Sequence, residues 1–189
     1  NIETYKTILD DTTFWTSYKN TVLYTIIGTM ISMVMTTMFA YVLSKKHLMG
    51  RKFFTSFAIF TMFFQGGLIP NYILIQALGW TNTIWAIVVP GAISIFNMLI
   101  MKSFFESMPE ELEEAAAIDG SSTYGTFFRI ILPLSKPILA TMFLFYAVGS
   151  WNSWFSAFLY LDQSDMYPVT LYLRNLLAGA TTGQSAGAT

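Results

Sequence analysis

Few of the side chains that make or break bonds in other proteins are grouped in this sequence. It has no cysteine and a single histidine, His47. No Asp, Glu or second His stands near His47 at ligand spacing, so neither a metal centre nor thiolate chemistry has anything to be built from. No G-x-x-x-x-G-K-[ST] and no H-E-x-x-H occurs, which excludes a self-contained nucleotide hydrolase or metallopeptidase. The chain reads as a non-enzyme with no metal or cofactor of its own. One polar stretch of real length remains in its interior, Glu114 to Pro133, EAAAIDGSSTYGTFFRIILP, preceded by Glu110, Glu111 and Glu113. Carboxylates, small residues and a glycine in that order suit a helix start followed by a sharp turn rather than catalysis.

The elements that position these residues follow from local rules. Ser107 is placed to cap a helix, with Glu110 three residues on completing a capping box. Pro109 is tolerated in a first turn, and the glutamates complement the positive end of the helix dipole. Leu112, Ala115 and Ala116 share one small, apolar face at i, i+3, i+4. Gly120 suits the left-handed residue that ends a helix, and Ser121 or Ser122 can cap the next one. Tyr124, Phe127, Phe128 and Ile131 recur at i, i+3, i+4, i+7 as a bulky stripe. Pro133 and Pro137 interrupt the pattern. The product expected over 106–136 is a helix–turn–helix whose small face meets a partner and whose aromatic stripe faces its own bundle. A loop folded back on its own protein is the plainer alternative.

Composition sets the surroundings. The chain is 54% hydrophobic and 11% charged, with mean hydropathy +0.52, far from the quarter charged of a typical soluble domain. Residues 20–44, 53–101 and 137–161 contain no Asp, Glu, Lys or Arg. A spanning helix needs about 20 apolar residues, so these stretches predict spans at about 20–43, 53–65, 83–105 and 137–161. An all-α polytopic membrane protein in contact with the lipid bilayer follows. A net charge of −1 argues against a nucleic-acid partner. Residues 1–19 are polar, with Glu3, Lys6, Asp10, Asp11 and Lys19, and show no signal peptide. The start at Asn1 points to a native chain that begins earlier.

Residues 44–52, SKKHLMGRK, hold Lys45, Lys46, Arg51 and Lys52 with no acid, which places this loop in the cytoplasm and leaves His47 solvated. Gly28, Ser32 and Thr36 form a small-residue face on the first span for close helix packing. Gly66, Gly67 and Pro70 end the second span, a short amphipathic helix runs from Asn71 to Gly79, and Pro90-Gly91 kinks the third. Lys102 can snorkel at the third span's cytoplasmic end. The loop 106–136 returns to the cytoplasm. The tail fades into ATTGQSAGAT, whose small residues suggest a disordered end.

Glu114, Ala115 and Ala116, then Gly120 after three residues, then Ile130, Leu132 and Pro133 after nine more, resemble the loop of the inner-membrane permease subunits of bacterial type I ABC importers. Asp119 lies within it. The runs QGGLIPNYILIQALGWTNTIWAIVVPGAISIFNMLIMKSFFESMPEELEEAAAIDG and YAVGSWNSWFSAFLYL are similar to the sugar-importing, maltose-type branch. The resemblance implies a subunit with four of the family's six spans, lacking the first and last, in the bacterial inner membrane. It implies further that the subunit forms half of a translocation path for a carbohydrate, an oligosaccharide above all. On the same resemblance, ATP is expected to be bound by separate ATPase subunits docked on the loop, and a second permease subunit and an extracytoplasmic solute-binding lipoprotein are expected to complete the assembly. A permease for an amino acid, phosphate or another solute is the alternative. A secondary transporter or channel is disfavoured, because it would place ionisable residues within its spans. Intramembrane amides and aromatics are the candidates for the path, since burying polar groups unpaired is costly: Asn97, Trp151, Asn152, Trp154 and Tyr160.

Overall fold

The structure, a computed structural model, describes residues 9–186, with side chains to residue 179. Glu3, Lys6 and residues 187–189 lie outside the described residues. Every regular element among those described is helical. The first, α1 (Thr12–Ser44), has 33 residues and is about 50 Å long at 1.5 Å per residue. It starts earlier than the apolar run alone suggests, because Asp11 Oδ1 accepts the Thr13 N–H at 2.8 Å and caps the first turn. Among the described residues α1 alone is long and apolar enough to cross a membrane by itself; up to three crossings result if each bent helix pair is one span.

Helix α2 (Arg51–Phe63) stops before the glycine pair, and α3 (Leu68–Ala77) starts after Gly67, whose φ is +88°. Gly79, at φ +68°, ends α3 in a left-handed turn in which the Trp80 N–H reaches back to the Ile75 carbonyl at 3.1 Å. The stretch expected to be one kinked span at 83–105 is two separate helices, α4 (Trp85–Val88) and α5 (Ile95–Glu106). Pro90 and Gly91 break the ladder completely, and Ser94 restarts it by accepting the Asn97 N–H on its hydroxyl at 3.4 Å.

Beyond it lie α6 (Glu111–Ile118), α7 (Thr123–Leu134), α8 (Lys136–Trp151), α9 (Phe155–Tyr160) and α10 (Val169–Ala186). The middle of α7, Phe127–Ile131, is a π turn, with the Leu132 N–H bonded to the Phe127 carbonyl five residues back. The chain bends by 80° between α7 and α8. The expected disordered end is not what residues 180–186 form: they continue α10.

The chain divides into two compact units. One comprises Met30–Gln65 and Gly91–Tyr146. Its core gathers Tyr41 and Leu43 of α1, Met98, Met101 and Phe105 of α5, Phe127 and Ile131 of α7 and Met142 of α8. Ser32 and Thr36 of the small-residue face are buried in it.

The other comprises Asn1–Thr29, Gly66–Pro90 and Ala147–Thr189. Here Tyr160 packs with Ile75 and Ala86, and Leu171 with Ala157 and Leu161. A Cβ on Gly28 would stand 3.4 Å from Ser150 Oγ and from Val88 Cγ1, so glycine permits this approach. Thr21 Oγ1 accepts the Val169 N–H at 2.8 Å, satisfying a donor at the start of α10. Asn82, at φ +58°, accepts the Asp162 N–H at 2.6 Å and donates its own N–H to the Tyr160 carbonyl at 2.9 Å.

Candidate functional site

The loop between α5 and α8 is built differently at its start from what the residue pattern suggests. Ser107 does not cap α6. It closes α5, its hydroxyl donating to the Phe104 carbonyl at 2.7 Å, and α6 begins at Glu111 without a side-chain cap. The acids still occupy the first turn, Glu111, Glu113 and Glu114, where the dipole favours them. At the other end Gly120 has φ +77°, and the Ser121 N–H reaches the Ala116 carbonyl at 2.9 Å, a left-handed stop of the expected kind. Ser122 then caps α7 by accepting the Gly125 N–H at 3.2 Å.

Two faces were expected, and both are distributed differently. Ala116 is buried, so it packs inward rather than towards a partner. The outward surface is Glu114, Ala115, Ala117, Ile118 and Asp119, continued by Gly120. Ile118 is 87% exposed. On α7 the aromatic stripe splits. Phe127 and Ile131 enter the core, whereas Tyr124 is 76% and Phe128 60% exposed. The π turn is the physical reason, since five residues per hydrogen-bonded ring displace side chains from the 3.6-residue register. Ile130 and Leu132 are half-buried and Pro133 is exposed at the last turn of α7.

The inward side of the loop is held by charge. Lys45 pairs with Glu113, and Arg51 pairs with Glu106. Glu106 also receives Lys102 from one turn earlier in α5 at 2.7 Å, so Lys102 is paired within its own helix. Lys46 reaches Glu110 at 2.8 Å across the surface. The hydrogen bond and charge of Lys46 hold the Glu110 carboxyl below the usual carboxylate range, helped by His47 and Lys45.

Tyr41 sits at the centre of this arrangement. Its hydroxyl points to Glu113 at 3.5 Å, the Lys45 ammonium lies 3.7 Å from its ring centre, and its ring is 4.4 Å from that of Phe127. Arg51 Nε donates to the Leu43 carbonyl at 2.9 Å, closing the last turn of α1. Exposed His47 lines a hollow of about 250 Å³ with Glu110, Glu113 and Glu114.

Sequence reasoning took the basic loop 44–52 for an orientation signal and missed that it binds the acidic loop. The signal was there: cations without acids in one loop, and five acids against a single cation in 102–114.

The candidates for a path are placed as follows. Asn97 is 9% exposed in the core-facing first turn of α5. In the other unit Trp151 is 36% exposed, edge-on to Tyr18 at 6.0 Å. Asn152 is exposed and donates to the Val148 carbonyl at 2.8 Å. Trp154 lies under the Arg174 guanidinium at 3.9 Å. Tyr160 is buried and stacked on Tyr72 at 6.1 Å. Trp151 and Asn152 thus reach the surface of the described chain, while Trp154 packs under Arg174 and Tyr160 is buried.

Residues 12–167 match the family described as "Binding-protein-dependent transport system inner membrane component". The chain is 44% identical over 175 residues to Protein LplC of Bacillus subtilis, covering 93% of this chain and 59% of that protein. It is 41% identical over 177 residues to the polygalacturonan/rhamnogalacturonan transport system permease protein YtcP of the same organism, covering 94% and 62%. A crystal structure of a bacterial ABC transporter involved in the import of the acidic polysaccharide alginate superposes with a TM-score of 0.88 at 34% identity, over 95% of this chain and 67% of that one. The chain therefore spans about three fifths of the length of these curated relatives. By fold and by sequence, this chain belongs to the family of inner-membrane components of binding-protein-dependent transport systems.

Proposed function

We propose that the protein is the membrane-spanning permease subunit of an ATP-driven importer and forms half of a translocation path for an oligosaccharide. A separate ATPase subunit docks on α6 and the Gly120 turn. The observation that carries the docking is the exposure of Ile118, 87%, and Tyr124, 76%, on the outer side of a loop whose inner side is fixed by ion pairs. Apolar side chains flanked by Glu114 and Asp119 suit neither open water nor hydrocarbon. A groove on another protein satisfies both. Glu114, Ala115, Asp119 and Gly120 supply the contact surface, Ala116 seats it, and Ile130, Leu132 and Pro133 join it to α8. A second permease subunit and a solute-binding protein complete the assembly.

The carbohydrate cargo is supported by the names of the relatives, among them transport system permease proteins for polygalacturonan/rhamnogalacturonan, arabinooligosaccharides and galactooligosaccharides. Trp151 and Asn152, the two candidates at the surface of the described chain, are the aromatic ring and the amide assigned to contact a sugar ring. The test is uptake by cells lacking the full-length gene, measured with labelled oligogalacturonides, maltodextrins, amino acids and phosphate side by side. Loss confined to a saccharide supports the reading, and loss confined to an amino acid or phosphate overturns it. For the docking, a photo-crosslinker at position 118 of the full-length permease should capture the ATPase subunit; capture of lipid alone would refute it.

A further inference from the structure

The contacts on the inner side of the loop point beyond docking. Both halves of the loop converge on one short stretch of α1. From α6, Glu113 pairs with Lys45 and meets the Tyr41 hydroxyl at 3.5 Å. From α7, Phe127 lays its ring 4.4 Å from that of Tyr41, tilted by 37°. Lys45 closes the set by covering the Tyr41 ring at 3.7 Å. Tyr41 is 7% exposed and Phe127 6%, while the Lys45 and Glu113 side chains are 27% and 38% exposed. Partly buried charges in contact with a packed aromatic are less screened than surface pairs and hold a defined geometry.

We infer that Tyr41, in the last turn of α1, and Lys45, the residue that follows α1, are positioning residues through which a displacement of the docked loop is passed directly to α1. This rests on the reading of α6 as the docking helix. The loop is also continuous with α8, but the chain bends by 80° at Ser135, and a bend is a poor pushrod. The α1 contact is lateral and close-packed, and close-packed elements move together rather than deform. Arg51 strengthens it, because it pairs with Glu106 at the end of α5 while capping the Leu43 carbonyl of α1.

The experiment uses the full-length permease assembled with its ATPase subunits in nanodiscs. Amide exchange is followed by mass spectrometry before and after adding MgATP with vanadate. The proteins compared are the native chain, Lys45→Glu, Glu113→Lys, the double reversal, and Lys52→Glu as a control of equal charge change, since the described residues give Lys52 no ion-pair partner. In the native complex the nucleotide should change exchange by at least about threefold both in the loop 107–120 and in 39–46. Each single reversal should keep the ATPase subunit and the loop response but lose the response at 39–46. The double reversal should restore it, and Lys52→Glu should leave it intact.

The inference is overturned if the single reversals keep the response at 39–46, if the native chain responds only in the loop, or if the double reversal does not recover. Loss of the ATPase subunit from the single variants would make the pair part of the docking surface instead, which also overturns it. An ATPase subunit that protects no residue of the native loop would defeat the docking reading itself, a result read at 107–120 rather than at 39–46. Lys45→Met with Glu113→Gln removes both charges without reversing either. It should abolish the response at 39–46, and a retained response refutes the inference even where a reversed charge prevents assembly.

Discussion

The Tyr146 hydroxyl lies 2.6 Å from Thr36 Oγ1, joining α8 to α1, and it also accepts the Ser94 amide N–H at 3.2 Å. Thr36 is fully buried, so these groups have no water to turn to. Tyr146→Phe keeps the ring and removes the bridge. It should cost about 1–2 kcal/mol, as hydrogen bonds between membrane helices do, read as a lower thermal midpoint of the purified full-length protein. An unchanged midpoint would show the bridge to be energetically idle.

Gly120 tests the turn. A Cβ there would meet nothing within 4 Å, yet φ is +77°, so the only cost of a side chain is conformational. Asparagine tolerates the left-handed region and should leave ATPase stimulation near native. Alanine should cost about 1 kcal/mol and valine more. Transport uncoupled from hydrolysis in Gly120→Val, with coupling kept in Gly120→Asn, is the expected pair of results. Equal behaviour of the two variants would dismiss the turn as the reason.

Exposure separates docking from folding at Ile118. A residue 87% exposed contributes little to the subunit's own stability. Ile118→Asp should leave the melting temperature within about 1 °C while weakening retention of the ATPase subunit by about tenfold or more, near 1.4 kcal/mol. Pull-down yield and a thermal melt on the same preparation read both.

The pair Lys46–Glu110 carries a pH dependence. Its carboxyl titrates below the usual range because of the Lys46 ammonium. A depressed folded value contributes stability that is present above the ordinary carboxylate pKa and is lost as the pH falls through the lowered one. Loop protection between Glu106 and Ile118 should therefore hold at neutral pH and fall in acid. Lys46→Ala should move the Glu110 titration back up to the usual range. High salt should weaken the pair, since both side chains are more than half exposed. A carboxyl-resolved NMR titration gives the direction.

Tyr160 and Trp151 should respond differently to truncation. Tyr160→Ala removes a buried ring stacked on Tyr72 and should cost about 3 kcal/mol of stability. Trp151→Ala removes a part-exposed ring, so it should cost less stability than Tyr160→Ala and should raise the half-saturating saccharide concentration for uptake. If Trp151→Ala transports normally, the exposed face is an interfacial anchor.

What the residues disclosed and withheld follows from how far each interaction reaches. The helix ends at Gly79 and Gly120 and the cap at Ser122 are set by neighbours within a few residues, so their types announce them. Ser107 misled because the same hydroxyl can cap forwards or close backwards, and α5 claimed it. The burial of Phe127 depends on the ring of Tyr41, far away in the chain, and no local period contains that. The break at Val89–Ser94 is complete rather than a kink, because Ser94 offers the next helix a start of its own. Of the loop's surface, the motif named Glu114, Ala115, Asp119 and Gly120, whereas the exposure of Ile118, Tyr124 and Phe128 was not legible in it. The inward clamp of Lys45, Arg51, Glu106 and Glu113 joins residues more than fifty positions apart and needed coordinates.

The π turn at Phe127–Ile131 gives the motif's fixed intervals a geometric meaning. Each residue added to or removed from a helix rotates everything beyond it by about 100° and shifts it by 1.5 Å. Between Gly120 and Pro133 the chain therefore works as a protractor. Its residue count sets the azimuth at which Tyr124 and Phe128 stand when α8 begins, and the extra residue held in the π turn is one of its graduations. Deleting one residue there would keep the composition and apolarity of α7 almost unaltered. It would nonetheless point Tyr124 and Ile118 away from whatever surface now receives them.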